Sequence, residues 1–227
     1  MLALVLNTNE NSITVQDVPK PKTGPKQILV CVRAVALNHV DYMNALKPLA
    51  AQAKRVLGSD FAGKVVEVGL DLIDFDDPRV KIGQRVSGFL QGVNSVNDRP
   101  GAFAEYLVVE YDLCWTIPRS LSFEEDATVS LAGMTAAQAI FGGVAICSTT
   151  ETRSFAAAFY QFLGSGAVSN EVKLQPNPVR LLPGGLDKIS SKGFNLLSVN
   201  QKSEPGQATE IFKRVSGEKL VFSLTAR

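Results

Sequence analysis

The sequence predicts a mixed α/β chain: a strand-rich first half of barrel or sandwich type, then helices, then a short return to strand. Two observations carry this. Up to about residue 109, short β-branched runs recur between Gly, Pro, Asn and Asp, the signature of many short strands joined by turns. From Ser122 onward, capping-box spacings open helices instead.

Residues 2–6 and 12–18 are short strand-like runs, followed by a turn-rich link carrying Pro19, Pro21, Gly24 and Pro25. Residues 27–37 form a long β-branched run, the strongest strand signal in the chain. Residues 61–69, 84–90 and 102–109 continue the pattern. Gly63 and Gly69 are expected to bracket a strand and permit tight turns, and Gly83 sits in a turn before the next strand. Ser122 and Glu125 have capping-box spacing, so a helix is predicted from 122 to about Leu131, where Gly133 interrupts. Thr135 and Gln138 repeat the spacing and open a second helix, closed by Gly142 and Gly143. A short strand, Val144–Cys147, precedes a helix over about 154–163 that ends at Gly164. The tail reads as a strand near 178–182, a helix near 185–198, a flexible insertion over 199–206 and a closing strand over 219–224.

Composition narrows the function classes. With 45% apolar and 20% charged residues, the chain can bury a core of its own. Its 23 basic and 22 acidic residues form no cationic stripe, so nucleic acid and anionic membrane are poor partners. The apolar start, residues 1–6, is too short for a signal-peptide core of roughly 7–15 residues, and no run reaches the roughly 18 that a membrane span needs. Cys31, Cys114 and Cys147 are odd in number and lie in apolar surroundings, which reads as reduced core thiols. A cytosolic location is the expectation; the oligomeric state stays open.

Four segments, in order, carry a resemblance: Asn38-His-Val-Asp-Tyr42, Gly58-Ser-Asp-Phe-Ala-Gly63 running into Val65–Gly69, Gly101-Ala-Phe-Ala-Glu-Tyr106, and Leu131-Ala-Gly-Met-Thr-Ala136. Together they resemble the medium-chain dehydrogenase/reductase superfamily, nearest its fungal trans-acting enoyl reductases and the related quinone oxidoreductases. The tail segments 177–186 and 215–222 resemble the same family's C-terminus, which returns to complete the first lobe. The resemblance implies a GroES-like β-barrel lobe over 1–125, a truncated remnant of a Rossmann lobe over 126–164, and a returning segment over 165–227.

It also implies chemistry: hydride passes from NADPH to the β-carbon of an α,β-unsaturated thioester, the carbonyl takes up enolate charge, and a proton is delivered at the α-carbon. The substrate would be a polyketide chain presented by a synthase, which would then be the partner. Carried over by position, Val40, Asp41, Tyr42 and Met43 lie along the nicotinamide and ribose, and Lys219 is the last residue near the cofactor. Tyr42 is the candidate hydrogen-bond donor to the substrate carbonyl, with a packed surface tyrosine as the alternative. Thr135 would cap the helix entering the second lobe and face the nicotinamide. Ala136, Ala137, Gln138, Ala139, Ile140 and Phe141 would line the substrate passage. Met43 stands where many relatives have a basic residue. For Lys219 the alternative is an exposed lysine at a strand start.

Zinc is not expected. Zinc-dependent relatives place a Cys at Asn38 and a His-Glu pair at Ser59-Asp60, and residues 88–110 hold no cysteine for a structural site. The one histidine, His39, reads as a barrel-edge residue near the cleft rather than a general base.

The nucleotide signature is missing. A dinucleotide lobe opens with a strand, a glycine-rich turn and a helix that receives the pyrophosphate. Among 18 glycines the one candidate is Gly164-Ser-Gly166, which follows a helical run and therefore reads as a helix C-cap. Between Gly143 and Gly164 there is less than the roughly 30 residues of one βαβ unit. About a hundred residues, the bulk of a doubly wound domain, are expected to be absent after Phe141. Three readings follow: an enoyl reductase impaired by this loss, a non-catalytic or partner-binding member of the lineage, and a small quinone reductase that borrows its cofactor lobe from another chain.

Overall fold

A computed structural model describes residues 1–48, 54–93, 98–141, 150–169, 171–202 and 217–224. Strands β1 (Leu2–Asn7) and β2 (Ser12–Asp17) form an antiparallel hairpin, and the two-residue β4 (Arg55–Val56) joins the other edge of β1. The spine of the larger sheet is β3 (Gln27–Ala36), which pairs antiparallel with β5 (Asp60–Val68). Strand β6 (Arg85–Phe89) pairs with β5, and β8 (Cys114–Thr116) with β6. The other edge of β3 is shared: residues 27–31 pair with β7 (Tyr106–Glu110), and residues 34–36 with the C-terminal strand β10 (Lys219–Ser223). Parallel to β10 lies β9 (Val179–Leu181).

Hydrophobic burial explains why β3 is the spine. Its apolar run is covered on both faces, which a long β-branched segment tolerates and an alternating one does not. One face enters the main core with Leu4, Phe61, Phe103, Leu220 and Phe222. The other carries Ala34 and Ala36, which with Ala62 and Ala127 leave room for helix α2 (Phe123–Asp126) to lie close on the sheet. Gly63 is needed inside β5, not at a turn. A Cβ there would stand 2.4 Å from the Cys31 carbonyl oxygen, next to a shift in the β3–β5 register. Gly83, at φ +83°, is the turn glycine as expected.

The remaining helices are α1 (His39–Leu46), α3 (Ser130–Phe141), α4 (Thr150–Ser169), the one-turn α5 (Leu186–Lys188) and, after a π-helical stretch over Ile189–Phe194, α6 (Asn195–Lys202). None of the helices among the described residues is long and apolar enough to cross a membrane.

Several expectations are corrected. The helical break falls at 127–129, and α3 runs unbroken through Gly133, whose missing Cβ would meet nothing closer than 3.6 Å. Thr135 is therefore mid-helix and caps nothing. Helix α4 continues past Gly164 to Ser169. Gly164 is there for close packing: a Cβ would lie 3.1 Å from the Thr116 amide nitrogen, where α4 crosses β8. The run at 102–109 pairs as a ladder only from Tyr106, with Ala104 bridging singly to Ala3. Residues 199–202 continue α6; the rest of the expected insertion, the Val144–Cys147 strand, the Gly142–Gly143 closure and Cys147 lie outside the described residues. Cys31 and Cys114 are free and buried, and burial pushes the Cys114 thiol up. The expected boundaries at 125/126 and 164/165 fall inside α2 and α4.

Candidate active site

Where β3 ends, the chain turns through Leu37 and Asn38 into α1. Asn38 is the N-cap, in extended conformation, and its backbone N–H donates to the Asp41 carboxylate at 2.8 Å. The helix then separates what the sequence grouped. Val40 and Met43 point outward, 42% and 57% exposed, while Asp41 and Tyr42 point inward and are buried. Successive residues on a helix diverge by about 100°, so these four cannot all lie along one ligand face. Tyr42 packs in the main core with its ring edge-on to Phe194, at 6.0 Å between centroids. It is a buried tyrosine rather than a surface one. His39, exposed, opens α1 rather than edging the barrel.

The polar residues gather around Asp60, the first residue of β5 and fully buried. One carboxylate oxygen accepts from the Leu131 amide at 2.8 Å. The other accepts from the Asn38 side-chain amide at 3.0 Å and from the Lys219 ammonium at 2.9 Å. The same ammonium donates to the Asn38 side-chain oxygen. Lys219 is thus no exposed strand-start lysine: its side chain is 15% exposed and its charge faces inward. Beside this group, Ser59 donates to Asp41 at 2.6 Å. Burial pushes the Asp41 carboxyl up to about 6 and the Asp60 charge adds to this, against the Ser59 hydroxyl, the Asn38 amide and the Lys219 charge. The cluster therefore joins α1, β5, β10 and the start of α3.

Behind it, a second set of hydrogen bonds holds α3 and α4. Trp115 Nε1 donates to Ser130 Oγ at 3.0 Å, Ser87 and Ser130 share a 3.1 Å hydroxyl pair, and the Tyr160 hydroxyl donates to the Ser130 carbonyl at 3.3 Å. Asp126, fully buried, has no hydrogen-bond partner on either carboxyl oxygen among the described residues; Arg85 Nη2 stands at 3.7 Å, an ion pair but too long for a hydrogen bond. Burial pushes this carboxyl up to about 8, against the Arg85 charge.

Along α3, the expected passage residues divide by helical face. Thr135, Ala136, Ala139, Ile140 and Phe141 are exposed, and Ala137 and Gln138 are buried. The Thr135 hydroxyl donates back to the Leu131 carbonyl at 2.8 Å. The structure brings Asp41 and Lys219 to one cluster; it does not bring Thr135 or Tyr42 into hydrogen-bonding contact with it. The sequence singles out Asn38, with Asp41, as standing at the family's active-site positions, and Ser59 and Asp60 as places where zinc ligands are lacking. The Asn38 cap is local, since Asp41 stands three residues on; the roles of Ser59 as donor and Asp60 as hub had no local signal, because their partners lie far along the chain.

Comparison with known proteins agrees with this architecture. Residues 24–119 match the alcohol dehydrogenase GroES-like domain. A dehydrogenase of Aspergillus niger is 35% identical over 161 residues, covering 67% of this chain and 45% of that protein. A trans-enoyl reductase of the same organism is 39% identical over 126 residues, covering 55% of this chain and 32% of that one. An alcohol dehydrogenase superfamily protein from Novosphingobium aromaticivorans superposes with a TM-score of 0.52 at 27% identity, over 61% of this chain and 40% of that one. The quinone oxidoreductase of Escherichia coli, solved with NADPH, shares the fold at 19% identity and a TM-score of 0.50, over 63% of this chain and 41% of that one. The chain thus spans less than half the length of the relatives it matches. By its barrel and these likenesses, the chain is similar to proteins of the medium-chain dehydrogenase/reductase superfamily, trans-enoyl reductases among them, and residues 24–119 carry their GroES-like domain.

Proposed function

We propose that the chain is the substrate-side lobe of a zinc-independent, enoyl-reductase-like oxidoreductase that does not hold NADPH by its described residues alone. The substrate class would be an α,β-unsaturated thioester of a polyketide chain, with a synthase as partner, in the cytosol. The trans-enoyl reductase relatives support the reaction class. Absence of zinc chemistry is supported by the donor set at the cluster: an amide, a hydroxyl, and a carboxylate already paired with an ammonium.

The observation that carries the cofactor part is the fate of the glycines. Gly164 and Gly166 lie inside α4, and a Cβ on Gly166 would stand 2.4 Å from Val172 Cγ2, so both serve packing. Other strand-to-helix turns among the described residues offer no phosphate cradle. At the entry to α1, Asp41 occupies the Asn38 amide. At Gly184-Gly185, before the single turn of α5, the Gly185 amide meets Asp187, whose charge repels phosphate. The described residues do not fit the pyrophosphate.

Titration with NADPH, followed by nicotinamide fluorescence and thermal shift, tests this. At a hundredfold excess over its Kd a ligand stabilises by about 2.7 kcal/mol, a shift of several degrees. The expected result is no shift and no change in emission; micromolar binding would defeat the reading. Ile140 and Phe141, 72% and 76% exposed at the end of α3, favour the partner-binding alternative. That alternative requires a stable hetero-complex with the synthase without NADPH turnover.

A further inference from the structure

We infer that Lys219 is a positioning residue: its ammonium is the buried counter-ion of Asp60, so the C-terminal strand sets the entry of α3 and the orientation of the Asn38 amide. The inference does not rest on cofactor binding or turnover and goes beyond the proposed reaction.

The argument begins at α3. An α-helix starts with amide groups that lack intrahelical partners, and a local Ser, Thr, Asp or Asn usually serves them. Here the Leu131 amide is served by Asp60, 71 residues earlier in the chain. That carboxylate is fully buried, and a buried charge is tolerated only where it is paired and hydrogen-bonded. Its cation comes from the opposite end of the molecule, 159 residues later. An amide side chain presents an oxygen and an NH2 that differ in hydrogen bonding but hardly in shape. The ammonium takes the Asn38 oxygen, which turns the NH2 toward Asp60. Through its ammonium, Lys219 therefore determines how both Asp60 and Asn38 sit. Its strand is held independently by β3 and β9, so the charge is not needed to attach β10 to the sheet. The titratable groups facing Asp60 among the described residues are Lys219 on β10, Asp41 on α1 and Tyr160 on α4.

Lys219→Met keeps the aliphatic stem and removes the charge. Thermal melts of the purified chain at pH 4.5 and pH 8 should show a loss at pH 8 larger by about 5 °C than at pH 4.5, because acid protonates the carboxylate left without its cation. By NMR, the Asp41 side-chain carboxyl should titrate at higher pH in the variant, since the Lys219 charge that lowers it is gone. Lys219→Arg should recover part of the pH 8 loss. An equal loss at both pH values, or an unmoved Asp41 titration, would overturn the inference, as either is what a merely packed lysine would give. If Lys219→Met yields no folded protein, the double variant Lys219→Met with Asp60→Asn decides. It should fold, because no uncompensated charge remains; its failure to fold would also overturn the inference.

Discussion

Asp126 and Asp41 are buried carboxyls, but their surroundings differ. Asp126 has no hydrogen bond on either oxygen; Asp41 accepts one from Ser59 and one from the Asn38 amide. Both carboxyls are raised, to about 8 and about 6. The sign follows from proton counts. Between an unfolded value near 4 and the folded one, the native state holds a proton that the unfolded chain has lost, so stability falls as pH rises. The expected slope approaches about 1.4 kcal/mol per pH unit for each group, over pH 4–6 for both and pH 6–8 for Asp126 alone. Asp126→Asn should flatten the upper part, measured as urea-unfolding free energy at pH 5, 6.5 and 8; an unchanged slope would show that Asp126 is ionised in the native state. Tyr42→Phe keeps the ring against Phe194 and should leave stability within about 1 kcal/mol, as should Thr135→Ala at its exposed position. Very little of this was legible in the sequence. Asp41 and Lys219 were singled out by resemblance, but burial and pairing depend on residues that adjoin only after folding. Nothing at Asp126 announces a buried carboxyl without a hydrogen bond among the described residues.

At the scale of elements, local and distant signals part company. The Ser122–Glu125 pair is a true capping box: Ser122 Oγ accepts from the Glu125 amide, and the Glu125 carboxylate accepts from the Ser122 amide. The Thr135–Gln138 pair has the same spacing and caps nothing, because α3 has already begun and Asp60 serves its first turn. A local rule cannot see a cap contributed from 71 residues away. Two glycines separate the same way. Gly133→Ala should stabilise by about 0.5–1 kcal/mol, since the site is open and lies within a helix. Gly164→Val should cost about 1–3 kcal/mol, because α4 would have to lift off β8. Denaturant melts compare them directly; the reverse order would restore the helix ends first placed at 133 and 164. The strands fared better because their signal is burial itself. The β-branched run at 27–37 and the closing strand at 219–224 were both legible within a residue. The short β4 and β8 were not, since two or three residues show no alternation.

For the whole molecule, the chain closes its barrel by bringing its last described strand back beside β3, and it joins that return to the entry of α3 through one buried ion pair. The GroES-like lobe was legible because three of the four motifs stand in order across it, the fourth lying on α3. The reading of a shortened second lobe rests on the shortage of residues between Gly143 and Gly164. Helices α3 and α4 are held to the barrel by Trp115, Ser130 and Tyr160, with no sheet of their own among the described residues. A barrel of this kind can position a substrate beside a nicotinamide, but gripping a dinucleotide takes a phosphate cradle. The most direct measurement is a crystal structure of the purified chain grown with NADPH. The account predicts no ordered pyrophosphate at any helix start; a continuous, ordered NADPH held by one copy of this chain would contradict it.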